Sequence, residues 1–373
     1  MMRKLANHST GNQLSFTVEP QACQTQTRHL VLSRSLVTTT QVFDTYWHFA
    51  AERQDIFFRR ARGCAPPWTS DPILLRFRFT NAYRVADRVS QFLVRHVQAD
   101  GPQDHRSLFF RTILFKLFNR IDTWRLLESV VGPIHPETYD YGVFDGVLSD
   151  AMSHGRRIYS AAYIMPSGGI KGSRKHQVHL RLLESMMKDD LSSRLSDSRS
   201  MQKAFELIRS YPTIGDFLAY QYVTDLNYSG LLDFSEMEFV TAGPGARSGI
   251  QKCFADRGSY SEPDLIRWMA EHQHEEFSRR GIEFQTLWGR PLQLIDCQNL
   301  FCEVDKYARV HHPDVTGLSS RVRIKQEYRH NAAPLEYWLP PKWALNDRIA
   351  AWRQSQLAKI EPAPGVRCAT EGV

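Results

Sequence analysis

Apolar residues recur at helical spacing along most of the chain. In residues 42–62, aromatic residues return every three or four positions, with Glu52, Arg53 and Arg60 between them. Similar periodicity marks residues 105–117, 122–131, 141–154, 176–195, 201–210, 216–226, 261–280 and 292–310, and a longer stretch at 73–97 that could break near Thr80. Because no strand-like alternation of consequence precedes residue 211, the pattern predicts an all-α fold.

Changes in composition divide the chain into three predicted parts. Residues 1–40 are rich in Ser, Thr, Gln and Asn without a sustained period, which predicts a flexible N-terminal segment. Residues 41–345 form the predicted helical domain, either as one body or as two lobes, 41–200 and 201–345, with a cleft between them. Residues 346–373 form a predicted C-terminal helix and tail.

Charge and cysteine usage narrow the class of protein. The 373 residues carry a net charge of +7, which favours a polyanionic partner. The six cysteines show neither CxxC pairs nor Cys/His zinc spacing, so no metal, iron–sulfur cluster or other cofactor is expected. Without an apolar run of eighteen residues or a signal peptide, the sequence predicts a cytoplasmic monomer that does not enter membranes.

The stretch YPTIGDFLAYQYVTDLNYSGLLD, residues 211–233, contains a tight turn between two apolar helical runs. Gly215 permits close approach of the backbone, and free amides at the start of the second helix can bind a phosphate. This part of the chain resembles the LPGVGxxTAxxV hairpin of the helix-hairpin-helix DNA glycosylases, although Thr213 replaces the first glycine. The resemblance implies a glycosylase-like helical fold and, as the partner, double-stranded DNA with modified bases, bound by non-specific contacts to its backbone.

In that superfamily an essential aspartate follows the hairpin by about twenty residues, and Asp233 lies close to that distance. An ionised carboxylate can stabilise the cationic sugar that forms during N-glycosidic cleavage. The alternative interpretation is that Asp233 caps a helix beginning at Phe234. Phe217 stands where strand-cleaving members carry lysine, so the resemblance implies a monofunctional enzyme.

A second resemblance covers about residues 42–343. The segments FRFTNAYRVADRVSQFL, LFKLFNRIDTW, DFLAYQYVTDLNYS, DFSEMEFVTAGPGA and LIDCQNLFCEVDKYARV resemble the helical family named for α-glutamyl/putrescinyl thymine pyrophosphorylases and 5-hydroxymethyluracil DNA kinases. The resemblance implies a role in DNA-base hypermodification. Its kinase-linked members carry a separate P-loop domain, whereas these 373 residues contain no GxxxxGK[ST] segment.

Three sets of candidate residues follow from these patterns. Asp233 is the first catalytic candidate, with Asp296 and Glu236 in reserve. Asp296 shares a polar helix face with Asn299, for which a structural polar network is the alternative. The DNA-binding candidates are Thr213, Gly215, Gly243, Gly245, Arg247, Lys252, Lys171 and Arg174. The base-recognition candidates are Tyr46, Asn81, Arg84, Gln221 and Asn299.

The function expected from these features is removal of a hypermodified pyrimidine from phage DNA. The enzyme would extrude the nucleotide from the duplex and hydrolyse the N-glycosidic bond, leaving an abasic site, as a means of antiviral defence. Two alternatives stay open. The protein could be a transferase of base hypermodification that leaves the sugar–base bond intact, or a non-catalytic binder of modified DNA.

Overall fold

The computed structural model describes residues 28–31, 36–168, 172–330 and 336–360, with side chains described for 36–168, 172–330 and 336–356. Most of the predicted flexible segment 1–40, the loop residue Lys171 and the end of the C-terminal tail lie outside the described residues.

The described chain is mostly helical, which confirms the predicted all-α class. The helices are α1 (Gln41–Ala61), α2 (Pro72–Arg76), α3 (Arg88–Phe92), α4 (His105–Phe118), α5 (Ile121–Val131), α6 (Tyr141–Ser153), α7 (Lys175–Lys188), α8 (Leu191–Ser196), α9 (Met201–Arg209), α10 (Asp216–Leu226), α11 (Pro244–Cys253), α12 (Glu262–Glu271), α13 (Gln273–Arg279), α14 (Leu294–His311) and α15 (Asn346–Ile360). Short 3₁₀ turns lie at Arg84–Ala86, Pro136–Thr138 and Pro341–Trp343, and a π-helical stretch, Leu93–Ala99, follows α3.

A small antiparallel sheet accompanies the helices. Its strands, in spatial order, are β1 (Arg28–Val31), β2 (Leu36–Thr39) and β3 (Phe254–Asp256). Thr39 pairs with both Arg28 and Phe254, so the sheet ties the start of α1 to the end of α11. Strand β2 lies within the predicted flexible segment 1–40, so that prediction was wrong for these residues. The three strands were not predicted, because three or four residues are too few for a recognisable alternation.

Helix α14 is the central element of the core and packs against α1, α2, α11 and α12. Helix α11 approaches it closely because two glycines face α14. A Cβ at Gly249 would come 2.0 Å from the Phe301 carbonyl oxygen, and one at Gly245 would come 3.0 Å from the Cys302 sulfur. One hydrophobic core contains buried residues from Val37 to Ile349, and so from both predicted lobes. The division into two lobes stays a prediction.

The predicted long helix at 73–97 is instead interrupted between α2 and α3. Polar side chains organise this loop: the Asn81 amide nitrogen of the backbone donates to Asp87 Oδ1 at 2.9 Å, and Arg53 Nε donates to the Thr80 carbonyl at 2.9 Å. Glu303 of α14 accepts from the Thr80 backbone N–H at 2.9 Å. These bonds satisfy backbone groups that a continuous helix would otherwise pair internally.

The predicted hairpin is present as α9, a turn at 210–215 and α10. Thr213 has φ +69°, so it adopts the left-handed conformation that usually favours glycine. Thr213 therefore adopts the conformation that the first glycine of the motif would adopt, and the turn forms although threonine replaces that glycine. The further likeness to the helix-hairpin-helix glycosylase fold stays a prediction.

Candidate functional site

Two adjoining cavities open between α4, α14 and the loops at 77–90 and 326–330. We call the smaller one, of about 470 Å³, the Tyr163 cavity and the larger one, of about 1130 Å³, the Trp68 groove. Both are lined by Arg78, Phe79, Asp87, Arg88 and Gln326. These shared residues form the boundary between the two cavities, which are therefore direct neighbours.

Helices and a loop supply the walls of the Tyr163 cavity. Helix α14 contributes Asn299, Cys302, Glu303 and Lys306, while the end of α4 contributes Lys116 and Asn119. On the remaining side, the Tyr163 ring stacks on Phe217, with ring centroids 5.7 Å apart and planes inclined by 8°. Tyr163 has φ +54°, a conformation that bulky residues adopt only where the surroundings hold them.

A buried ionic cluster lies beneath the Tyr163 cavity. Asp225 accepts two hydrogen bonds from the Arg84 guanidinium, at 2.6 and 2.9 Å, and its Oδ2 lies 3.0 Å from Lys116 Nζ. Gln221 Oε1 accepts from Arg84 Nε at 2.9 Å. The side chains of Asp225, Arg84 and Lys116 are 0, 1 and 3% exposed, so this cluster is removed from solvent.

Electrostatics in the cluster favour the ionised carboxylate. Burial alone would raise the pKa of Asp225, but Arg84 and Lys116 outweigh it and hold the pKa below its usual value. Burial lowers the pKa of Lys116, with Asp225 opposing the shift. Lys116 Nζ also lies 4.5 Å from the centre of the Tyr163 ring and donates to Asn119 Oδ1 at 2.8 Å. The cluster therefore fixes Tyr163 and Asn119 in the cavity wall.

Asp87 lies at the junction of the two cavities. Burial raises the pKa of its carboxyl to about 7, and the negative charge of Glu303 adds to this increase. The hydrogen bond from the Asn81 N–H and the positive charges of Arg53 and Arg84 oppose it. Asp87 therefore changes its charge close to neutral pH. Glu303 itself accepts from Lys306 Nζ at 2.7 Å.

The Trp68 groove is rich in arginine and aromatic side chains. Its lining includes Arg53, Arg60, Arg78, Arg88, Arg157 and Arg329, against the acidic residues Asp87 and Glu327. Trp68 lies beside the His330 ring, with centroids 5.5 Å apart, and the Arg60 guanidinium lies 5.5 Å from the Trp68 ring centre. Cationic side chains interleaved with aromatic rings are typical of surfaces that bind nucleic acids.

Arg78 and Arg88 are the exposed cations at the junction of the groove and the cavity. Neither guanidinium has an ion-pair or hydrogen-bond partner within the described parts of the chain. Exposed, unpaired guanidinium groups are suited to phosphate oxygens, to which they can donate two parallel hydrogen bonds.

The three predicted carboxylates lie outside both cavities. Asp233 is 93% exposed and contacts Lys342 Nζ at 3.4 Å, and no helix begins at Phe234, so Asp233 does not act as an N-cap there. Asp296 is buried at the start of α14, where it accepts from the Gln293 and Arg84 backbone N–H groups at 3.0 and 2.8 Å. Burial raises the pKa of Asp296 to about 7, against the opposing effect of these two hydrogen bonds.

Glu236, the other reserve carboxylate, is 7% exposed and pairs with Arg290 at 2.7 Å. Burial raises its pKa, and the Arg290 charge opposes this. Glu236 and Asp296 therefore serve structural contacts in this structure, on residues separate from the cavity lining.

The predicted DNA-binding residues that are described line neither cavity. Gly215 is exposed before α10, with Thr213 beside it, whereas a Cβ at Gly243 would collide with the Phe217 ring at 2.5 Å. Gly243, like Gly245, thus permits close packing. Lys252 is buried and lies 3.2 Å from Asp305 Oδ1. Arg247 and Arg174 are exposed.

Among the predicted base-recognition residues, Asn299 lines the Tyr163 cavity and Asn81 lines the Trp68 groove. Asn81 is already engaged, because its Nδ2 donates to the Ala86 carbonyl at 2.8 Å and its Oδ1 accepts from Arg53 at 3.1 Å. Arg84 and Gln221 belong to the buried ionic cluster. Tyr46 is fully buried in the core, where its hydroxyl donates to the Cys297 carbonyl at 3.3 Å.

Sequence reasoning did not select Lys116, Tyr163, Asp87 or Asp225 as site residues. A weak signal was available for two of them: Lys116 and Asp225 are charged residues within otherwise apolar helical segments. Charges at such positions are paired or functional when buried. No local pattern marked Tyr163, because its place in the cavity depends on the loop before α7.

The described residues show neither a membrane-spanning helix nor a metal-binding group of side chains. They contain no helix with the length and apolar character needed to cross a membrane. Within the same residues, no group of three or more His, Cys, Asp or Glu side chains is arranged to hold a metal ion.

Fold and site together define a mostly helical protein with a basic, aromatic-lined depression. Residues 40–317 match the family described as "5-hmdU DNA kinase, helical domain", and the chain belongs to this family. It is also similar to a 5-hmdU DNA kinase of Bacillus phage SP10, with 26% identity over 311 residues. The match covers 78% of this chain but 48% of the phage protein, so the chain spans about half the length of that relative. No solved structure matches it significantly.

These comparisons overturn the expected DNA glycosylase activity. The family and the phage relative are named for a kinase, which transfers a phosphoryl group, and not for a hydrolase of N-glycosidic bonds. The role of Asp233 in base excision therefore falls together with the predicted activity and with the antiviral function attached to it. The transferase alternative fits the comparisons better.

Proposed function

We propose that the chain takes part in a group-transfer reaction of DNA-base hypermodification, and that it binds DNA containing a 5-hydroxymethylated pyrimidine. The observation that carries this proposal is the position of the arginine-rich Trp68 groove directly beside the Tyr163 cavity, with Arg78 and Arg88 at their boundary. The named activity of the phage relative supports the choice of substrate, because "5-hmdU" denotes a hydroxymethylated deoxyuridine in DNA.

The Trp68 groove is the proposed site for the DNA backbone. Its six arginines outnumber the two acidic residues of its lining, so the local potential attracts phosphates. Arg78 and Arg88 lie where the groove meets the cavity and would hold the phosphates that flank the modified nucleotide. Trp68 and His330 present ring faces on which neighbouring bases can stack.

The Tyr163 cavity is the proposed site for the modified base. Its volume of about 470 Å³ lies in the range of sites that enclose small molecules. Enzymes that modify a base inside duplex DNA must first bring that base out of the helix. Stacked Tyr163 and Phe217 form an aromatic wall beside which an extruded pyrimidine can lie.

The region that matches the helical domain of the family, residues 40–317, supplies most of the lining of both cavities. We assign it the recognition of the DNA substrate in the transfer reaction. The exposed turn with Thr213 and Gly215 stays a proposed secondary contact to the backbone.

Fluorescence anisotropy with labelled duplexes tests the binding. We expect the protein to bind a duplex with one central 5-hydroxymethyldeoxyuridine more tightly than the same duplex with thymidine. A Lys203→Gln variant removes an exposed charge far along the chain from the groove and serves as the control for Arg78→Ala. Absence of DNA binding by the wild-type protein would refute the proposal.

Mass analysis of nucleosides tests the reaction class. The modified duplex is incubated with the protein and a bacterial cell extract, which supplies partner proteins and small molecules, and is then digested to nucleosides; the extract alone is the control. Transfer predicts a heavier modified nucleoside and an intact sugar–base bond. Release of free base with abasic sites would contradict it.

A further inference from the structure

Asn299 carries a side-chain amide with no protein partner. The residue as a whole is only 8% exposed, it lines the Tyr163 cavity, and no described group hydrogen-bonds to its carboxamide. Neither amide atom is among the enclosed polar atoms that lack a partner, so the small exposed part of Asn299 includes its amide. The carboxamide is thus available to a molecule in the cavity, to which it offers one acceptor and two donor hydrogens.

Asp87 also has unused hydrogen-bonding capacity in this cavity. Its Oδ1 accepts from the Asn81 N–H at 2.9 Å, whereas its Oδ2 has no donor among the described residues. Charged or titratable groups face it from three elements: Arg53 on α1, Arg84 in the loop before α3, and Glu303 on α14. Neither arginine forms a hydrogen bond to the Asp87 carboxylate, so the free oxygen remains an acceptor.

Glu303 places the carboxamide and the carboxylate near one another. It follows Asn299 by four residues on α14, so the two side chains share a helix face with Cβ atoms about 6 Å apart. Glu303 accepts from the Thr80 backbone N–H and Asp87 accepts from the next one, that of Asn81, each at 2.9 Å, so the two carboxylates hold consecutive backbone amides. Asn299, Glu303 and Asp87 all line the same cavity. The cavity therefore presents an amide next to a carboxylate acceptor.

This arrangement matches the chemistry of a 5-hydroxymethyluracil base. Uracil presents O4 as an acceptor beside N3–H as a donor, which a carboxamide can pair in a bidentate manner. The 5-substituent is attached to the carbon next to the one carrying O4. A group that binds its hydroxyl must therefore lie next to the group that reads the base edge.

We propose that Asn299 reads the O4 and N3–H edge of the pyrimidine and that Asp87 accepts the hydrogen bond of its 5-hydroxymethyl group. The inference rests on the proposed function, because it requires the base to enter the Tyr163 cavity. It assigns substrate specificity to these two residues and leaves DNA affinity to the arginines of the groove.

Anisotropy titrations of labelled duplexes test the two roles. Each duplex carries one central thymidine, 5-hydroxymethyldeoxyuridine or 5-hydroxymethyldeoxycytidine. The Asp87→Asn variant keeps an oxygen for the Asn81 N–H. We expect it to lose about tenfold of the preference for hydroxymethyldeoxyuridine over thymidine, the scale of one charge-assisted hydrogen bond. Its affinity for the thymidine duplex should stay unchanged.

The Asn299→Asp variant tests the base edge. A carboxylate accepts from the cytosine amino group but repels uracil O4, so the affinity ratio of hydroxymethyldeoxyuridine to hydroxymethyldeoxycytidine should fall about tenfold or more. Gln251→Glu makes the same amide-to-carboxylate change at an exposed position of α11 that lines neither cavity. It is the matched control and should leave both ratios unchanged.

The outcomes separate the inference from the function on which it rests. If wild-type protein binds no DNA, the proposed function fails and the inference fails with it. If wild-type protein binds all three duplexes equally, or if Asp87→Asn weakens thymidine and hydroxymethyldeoxyuridine duplexes alike, the specificity roles are refuted while DNA binding stands.

Discussion

Asp225→Asn should destabilise the folded protein strongly. The wild-type carboxylate is 0% exposed and neutralises Arg84 and Lys116, which are themselves 1 and 3% exposed. Asparagine has nearly the same shape but no charge, so the variant leaves two buried cations without a counter-charge. Removing one partner of a buried ionic pair typically costs about 3–5 kcal/mol. That loss is a large share of the stability of about 5–15 kcal/mol that native proteins have.

Denaturant unfolding followed by tryptophan fluorescence measures this effect. Glu206→Gln is the matched control, because its partner Lys203 lies 2.7 Å away in an exposed pair, 67 and 43% accessible. Pairs of that kind contribute roughly 0–1 kcal/mol. A second variant, Lys116→Met in the Asp225→Asn background, should recover part of the lost stability because it removes one of the uncompensated charges. An Asp225→Asn protein within about 1 kcal/mol of wild type would refute the proposed electrostatic role.

The same carboxylate predicts a direction for acid unfolding. Because the folded pKa of Asp225 lies below its ordinary value, its contribution is fully present above the unfolded pKa of about 4 and is lost as pH falls through the folded value. The stability difference between wild type and Asp225→Asn should therefore shrink below about pH 4. A difference that grew on acidification would contradict the assignment.

Three further predictions concern the groove, the packing of α11 and the cavity. Arg78→Ala combined with Arg88→Ala should weaken binding equally for all duplexes and lower the salt dependence by about two phosphate contacts, whereas sequence-selective weakening would contradict this. Gly249→Ala should lower the free energy of unfolding by about 1–3 kcal/mol, because its Cβ would collide with the Phe301 carbonyl oxygen. Gly215→Ala, the control, has open space around its Cβ and should change the free energy of unfolding by less than about 0.5 kcal/mol. Equal losses in the two variants would contradict this prediction. Since burial raises the pKa of Asp87 to about 7, protonation should reduce the preference for hydroxymethyldeoxyuridine as pH falls from 8 to 6, and a preference that is constant with pH would contradict this.

Helix positions were predictable where apolar spacing alone determines the structure. Residues 216–226 were predicted as a helix and form α10, because their apolar positions face the core. The sequence also indicated a possible break near Thr80, and the chain is interrupted there between α2 and α3. The bonds that hold this loop could not be predicted, since Arg53 and Glu303 are distant in sequence. Local periodicity contains no information about such partners.

The candidate site was predictable only in part. Asn299 was selected because it shares a polar helix face with Asp296, and it does line the cavity. Asp233 was selected by its distance from a hairpin motif, yet that spacing does not specify its position in the fold. Lys116, Asp87 and Tyr163 meet through three separate segments, so their proximity required the folded structure.

Photo-crosslinking tests most directly whether the pyrimidine of bound DNA enters the Tyr163 cavity. A duplex with 4-thiothymidine at the central position is irradiated with the protein, and the crosslinked peptides are identified by mass spectrometry. We predict crosslinks to the peptides that contain Tyr163 or Asn299. Crosslinks confined to the turn at 210–215, or to the surface around Asp233, would contradict the proposed site.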